Sequence, residues 1–249
     1  MLELFANESE PGCSAAVARQ GDVIWRGVRG LADLSSRTPI TPGTVFDVAS
    51  VSKQFTAAAV LLLRDAAKLR LDDPLAAHLP EFPAWSRKTT LVHLMHHTSG
   101  IPDYQRLLED QGHELTERTT QQQAVRALAK VKDLDFPPGS DWAYSNSNYV
   151  LLAEVVRRVS GQPLGQYVRK QIFEPLDLNM VVAPAAHVPG KAVSYRGSSA
   201  QFEAVAYTWE QVGDGGIQTT PAELARWGDN YRTAEVGGAR WRAAFSPTP

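Results

Sequence analysis

The sequence contains a single cysteine, Cys13, in 249 residues, so no disulfide can close within the chain. Cys13 lies in "CSAAVAR", which reads as a strand, and a small strand residue is all that the position asks for. An excess of charge of either sign is also lacking. Lys and Arg number 25 against 27 Asp and Glu, a formal net charge of -2, which offers no electrostatic footing for nucleic acid or a membrane surface. No apolar run is long enough to cross a bilayer; "AAAVLLL" is too short and is followed at once by Arg64 and Asp65. The N-terminus "MLELFANESEPG" is acidic and lacks the basic-then-apolar order of a signal peptide. With Met1 as the native start a cytoplasmic protein is expected; a leader removed upstream would leave no trace. Internal repeats and low-complexity tracts are missing too. What is left is 43% hydrophobic and 21% charged residues, an ordinary globular composition with chain enough for one large domain or two modest ones.

"CSAAVAR" and "VIWRGVRG" flank Gln20-Gly21-Asp22 and predict two strands joined by a tight turn. A lone hairpin is marginal in water and needs more strands or a helix to pack on. A helix is expected from Ser50 to Arg70, apolar all round in "TAAAVLLL" and therefore buried. Asp73 with Pro74 reads as a cap and first helical position. "TTLVHLMHHTSG" predicts a short helix capped by Thr89 or Thr90 that ends near Gly100. Thr120 with Gln123 has capping-box spacing, ahead of apolar residues at helical period in Val125, Leu128 and Val131. After the turn-rich "PPGSDWAYSNSN", "YVLLAEVVRRVSG" reads as a helix ending at Gly161, and "PLGQYVRKQIFEPL" as another. Thr220, Pro221 and Glu223 give cap, first position and box for a last helix.

The stretch "FDVASVSKQF" places Ser50 and Lys53 three apart at a helix start. A serine hydroxyl is a poor nucleophile near neutrality and needs a base within hydrogen-bond reach. Residues three apart share a helix face, and a lysine becomes a base when desolvation lowers its pKa. The apolar helix around Lys53 is such a setting. The backbone N–H of Ser50 would lie at the positive end of the helix dipole, where an oxyanion forms. Against this stands chance, since a serine three before a lysine is expected about once in a chain this size. The loop "AYSNSN" sets Tyr144 and Asn146 two apart, pointing the same way if extended. A phenol there could pass protons to and from the serine, with a lysine ammonium beside it favouring the phenolate, and the asparagine could hold a substrate amide. The bland alternative is a capped helix start with a packed tyrosine.

The two motifs occur together with further segments in a fixed order: "FDVASVSKQFTAAAVLLL", "LDDPLAAHLPEF", "LVHLMHHTSGIPDY", "PPGSDWAYSNSNYVLLAEVVRRVSG" and "GDGGIQTTPAELARW". Over nearly the whole chain this resembles the serine β-lactamase and penicillin-binding-protein-like family, in the class C branch that includes D-aminopeptidases, DD-peptidases, esterases and amidases. The resemblance implies an α/β fold of the β-lactamase/transpeptidase-like type, with an antiparallel sheet flanked by helices plus a mostly helical domain. Residues 1–72 and 200–249 are expected to form the α/β domain and 73–199 the helical one, with the active site between them. It implies Ser50 as the acylated nucleophile, Lys53 as its partner, Tyr144 as the proton shuttle and Asn146 as a substrate contact. The substrate would be a small molecule or peptide carrying an amide or ester: a D-amino-acid peptide, a small ester or a β-lactam. No metal or organic cofactor is implied. His93, His96, His97 and Asp103 have helical metal-ligand spacing, but "HHTSG" fits a family segment in which such a histidine is structural. The same match accounts for "GDGG" better than a phosphate loop does.

The family's third motif, Lys-Thr-Gly or His-x-Gly on a sheet strand, is not found. No Lys or His after the tyrosine motif has Gly two positions later; Lys191 is followed by "AVS" and His187 by "VPG". C-terminal sheet strands are therefore expected to be missing, as in a fragment of a longer product, with a second chain or a naturally shortened relative as alternatives. The buried helix should then lack cover on one face and expose an apolar patch. A competing function on the same scaffold is a non-catalytic binding or interaction protein.

Overall fold

The expected hairpin forms. β1 (Cys13–Arg19) and β2 (Asp22–Arg29) pair antiparallel, and the turn residues Gln20 and Gly21 take φ of 53° and 88°. Two positive φ values match the turn twist to the right-handed twist of the strands, which is why glycine serves here. The computed structural model describes residues 8–114, 117–198, 201–206, 208–238 and 240–241. It divides into a sheet unit, Met1–Val48, Ile172–Tyr207 and Ile217–Pro249, and a helical unit, Ala49–Gln171 and Thr208–Gly216.

In the sheet unit, β3 (Leu31–Asp33) pairs with β4 (Thr38–Pro39). A three-stranded sheet has β9 (Ile217–Thr219) between β5 (Phe46–Asp47) and β6 (Val181–Val182), and β7 (Ser194–Ser198) pairs with β8 (Gln201–Val205). All these pairings are antiparallel. α8 (Pro221–Thr233) packs on β1 and β2. Its cap and first position are as expected, Thr220 Oγ1 accepting the Glu223 N–H with Pro at the start, but the expected box does not close: Glu223 Oε2 accepts the Asn179 N–H instead. The hairpin still leaves Val17, Ile24, Trp25 and Val28 between 37% and 55% exposed.

The helical unit comprises α1 (Lys53–Asp65), α2 (Leu75–His78), α3 (Leu91–Met95), α4 (Tyr104–Glu109), α5 (Gln121–Leu128), α6 (Ser147–Ser160) and α7 (Leu164–Val168). α6 is its centre, packing against α1, α3, α5 and α7. Val150, Leu151, Leu152, Val155 and Val156 are all sealed from solvent, and Gly161 ends the helix in the left-handed region at φ 74°. The capping box of α5 forms as read, Thr120 with Gln123.

Several expectations need correction. The helix expected over 50–70 is a 3₁₀ turn, Ala49–Ser52, followed by α1, which stops at Asp65 because Ala67 turns to φ 54°. Its apolar face is not left bare: Phe55, Ala58, Ala59, Val60, Leu61 and Leu63 are buried, with α6 and α7 packed on α1. Among the described residues, exposed apolar side chains include Val17, Ile24, Trp25 and Val28 of the hairpin, and also Val51, Trp142, Val181, Val193 and Val205. Pro74, in extended conformation, is the cap residue of α2, while Asp73 accepts the Arg70 N–H and lies 3.2 Å from His78 Nε2. α3 ends before His97, which takes φ 59°, and its box is closed by His93 instead of Glu or Gln. α7 passes into a π-helical turn, Arg169–Phe173. The unit boundaries also differ from those expected. α1 joins the helices it packs on, and 172–207 joins the sheet unit through bonds such as Val193 N–H to the Ala32 carbonyl and Leu34 N–H to Tyr195 Oη.

Candidate active site

Ser50, Lys53, Tyr144 and Asn146 all lie within the helical unit, and the structure brings all four together. Ser50 is exposed in the 3₁₀ turn and Lys53 is the first, buried residue of α1. In a 3₁₀ turn residues three apart stand above one another, more directly than in the α-helix expected, and Lys53 Nζ donates to Ser50 Oγ at 3.1 Å. Ala49, immediately ahead, is held at φ 45°, a conformation that costs a residue with a Cβ about 1–2 kcal/mol. The strain sits next to the exposed hydroxyl.

Lys53 Nζ has two more acceptors, Asn146 Oδ1 at 2.8 Å and the Asp214 carbonyl at 2.8 Å. An ammonium has three N–H groups, and all three are used. Two of the acceptors, an amide oxygen and a backbone carbonyl, can only accept. Ser50 Oγ can also donate. A neutral amine that keeps its bonds to Asn146 and Asp214 therefore presents its lone pair to Ser50. Tyr144 Oη donates to the same Ser50 oxygen at 2.8 Å, and Lys53 Nζ lies 5.0 Å from the centre of the Tyr144 ring. Tyr149, 5.6 Å from the same ammonium, plays a different part: burial pushes its phenol up to about 12, and it donates to the Met95 carbonyl.

Asn146 is fixed from behind, its N–H donating to Asp103 Oδ2 at 2.7 Å, while Asp103 Oδ1 caps α4 through the Gln105 N–H. The segment 213–216 is fixed with equal care. Gly213 has φ 103°, and a Cβ there would lie 2.3 Å from the Tyr149 carbonyl oxygen, so only glycine fits. Its own carbonyl accepts from Thr56 Oγ1 at 2.8 Å. Asp214 is buried; Oδ2 accepts from Tyr104 Oη at 3.0 Å and Oδ1 has no partner among the described residues. Burial pushes its carboxyl above the usual range, against the pull of Lys53 and Tyr104.

Sequence reasoning passed over Tyr104 and Asp214, and took Asp103 only as a member of a metal-like cluster, not as the anchor of Asn146. Their only signals were an Asp in helix-cap position in "PDY" and a charged residue set among glycines in "GDGG". The histidine cluster resolves into structural bonds. His93 Nδ1 accepts the Thr90 N–H and His97 Nδ1 the Ser145 N–H. No group of three or more His, Cys, Asp or Glu among the described residues could hold a metal ion.

The fold is of the β-lactamase/transpeptidase-like class. It superposes on the octameric penicillin-binding protein homologue of Pyrococcus abyssi with a TM-score of 0.80 at 25% identity, covering 93% of this chain and 55% of that one. A D-stereospecific amidohydrolase from Streptomyces sp. gives 0.78 at 25% identity, over 97% and 74% of the two chains. The sequence matches the Beta-lactamase family over residues 3–247, and the chain belongs to that family. Among curated relatives, a D-aminopeptidase of Brucella anthropi is 31% identical over 219 residues, covering 87% of this chain and 42% of the relative. Penicillin-binding protein 4* of Bacillus subtilis is 28% identical over 179 residues, 72% of this chain and 39% of the relative. The chain thus spans about two fifths of the length of the curated relatives it matches. No helix among the described residues is long and apolar enough to cross a membrane.

Proposed function

We propose that the protein is a serine hydrolase acting through an acyl-enzyme on an amide or ester. The observation that carries this reading is the double approach to one oxygen: Ser50 Oγ lies 2.8 Å from Tyr144 Oη and 3.1 Å from Lys53 Nζ. Ser50 attacks the substrate carbonyl as its proton passes to the Tyr144–Lys53 pair. Ser50 N–H, near the positive end of α1, is the first donor to the oxyanion. The same proton goes to the departing amine or alcohol, leaving an ester on Ser50. A water, deprotonated by Tyr144, attacks that ester; the acid leaves and the proton returns to Ser50. Asn146 spends its oxygen on Lys53, so its amide N–H groups are what it offers a substrate.

D-amino-acid peptides or amides are the substrate class favoured by relatives named D-aminopeptidase and D-stereospecific amidohydrolase. Small esters and β-lactams undergo the same acyl chemistry. We also propose that further strands, from a continuation of this chain or from a second chain, cover the hairpin. Its exposed Val17, Ile24, Trp25 and Val28 and the greater length of the relatives support this. The test is labelling with a fluorophosphonate and with a labelled penicillin. Labelling that disappears in Ser50→Ala is expected; a folded protein that neither reagent labels would instead favour a binding protein on this scaffold.

A further inference from the structure

His97 is not one of the four site residues, yet it holds the loop that carries Tyr144 at several points. Its carbonyl accepts the Ala143 N–H at 3.1 Å. Its Nδ1 accepts the Ser145 N–H at 3.2 Å and lies 3.2 Å from Asn148 Nδ2. Its ring lies along that of Tyr144, with centroids 4.6 Å apart and planes 24° apart. The backbone φ of 59° places the imidazole there against the usual preference of a side-chain-bearing residue. Tyr144, by contrast, is 48% exposed, so packing around it does little to fix its phenol.

The hydrogen bonds settle the state of the imidazole. A backbone N–H can only donate, so Nδ1 carries no proton and the ring proton is on Nε2. The ring is neutral. The charged and titratable groups around it are Lys53 of α1, Asp103 at the cap of α4, the adjacent His96, and Tyr144 and Tyr149. Burial first, then Lys53, holds the imidazole below the ordinary histidine range, with the Ser145 contact and then Asp103 opposing.

We propose that neutral His97 is the positioning residue for Tyr144, seating its ring by stacking and its backbone through the neighbouring Ser145 N–H, and that a proton on Nδ1 unseats it. A proton there sets donor against donor at Ser145 and adds a cation near Lys53. The loop then moves and Tyr144 Oη leaves Ser50 Oγ. The inference rests on the reading of Tyr144 as the proton relay, and it concerns the rate of the acylation step, not substrate affinity.

Two variants separate the two contacts: His97→Asn keeps an acceptor for Ser145 and loses the ring, while His97→Phe keeps the ring and loses the acceptor. The experiment pairs imidazole and tyrosine NMR with the saturating rate of fluorophosphonate acylation, across the pH range in which histidine titrates. His97 should show a bare Nδ1 near neutrality and titrate below an exposed histidine. Tyr144 ring resonances should move with the same midpoint. Both variants should acylate on the order of 10- to 100-fold more slowly near neutrality, and both should lose the acid limb that tracks His97. A protonated Nδ1 near neutrality, Tyr144 resonances indifferent to the His97 titration, or variants that acylate with the unaltered rate and pH profile would each overturn the proposal. A protein that is not acylated at all refutes the hydrolase reading, and the NMR titration then decides the positioning claim alone.

Discussion

The two units of this chain treat their side chains in opposite ways. In the helical unit the polar groups around Ser50 are closely held: Lys53 uses all three N–H groups, Asn146 is gripped by Asp103, and Gly213 is pressed against α6. In the sheet unit the longest strands, β1 and β2, leave Ile24 and Trp25 about half exposed. The candidate catalytic residues all belong to the helical unit. The four come from the 3₁₀ turn and start of α1 and from the loop that enters α6, with the segment 213–216 behind Lys53, all parts of one unit. The exposed side chains of the hairpin bear on association more than on nucleophile geometry.

The largest effect is expected from Tyr144→Phe, which should slow acylation on the order of 10²–10⁴-fold and leave urea unfolding nearly unchanged, because the side chain is exposed. A parallel loss of stability would mean that Tyr144 is structural. Leu151→Ala removes a fully buried side chain of α6 and should cost about 2–5 kcal/mol in urea unfolding. Thr120→Ala removes the α5 capping bond and should cost about 1 kcal/mol. The double change Ile24→Ser with Trp25→Ser should alter stability by only about 0.5 kcal/mol or less per site while reducing concentration-dependent association seen by light scattering. A large destabilisation would show that the hairpin is packed after all.

Asp214→Asn tests the polar side of the contrast through pH. The folded carboxyl titrates above its ordinary value because burial disfavours its charge. At pH well below the unfolded value both states are protonated. As pH rises, the unfolded chain ionises first, so wild-type stability falls until the folded group ionises too. Asparagine removes that loss and can still accept from Tyr104. The variant should therefore gain stability relative to wild type as pH rises from the acid range to neutrality, measured by urea unfolding at a series of pH values; a constant difference would contradict the assigned shift.

Much of this was legible in the sequence because it is local. The turn at Gln20-Gly21, the Thr120–Gln123 box and the Gly161 stop are written in adjacent residues. Ser50 and Lys53 could be paired because they are three apart, and Tyr144 and Asn146 because they are two apart. The rest depends on contacts across the chain. Asp214 meets Tyr104 across 110 positions and His97 meets Ser145 across 48, and no spacing rule connects them. Strands β3 to β6 and β9 have two or three residues each, too few for alternation to be read. The 3₁₀ entry to α1 was hidden because serine and lysine three apart suit an α-helix as well.

If Ser50 is a nucleophile made ready by Lys53 and Tyr144, intact-protein mass spectrometry after fluorophosphonate treatment, followed by peptide mapping, should find one adduct per chain, on Ser50, forming much more slowly in Tyr144→Phe. An adduct on another serine, or one that forms on Ser50 equally fast without the phenol, would contradict it.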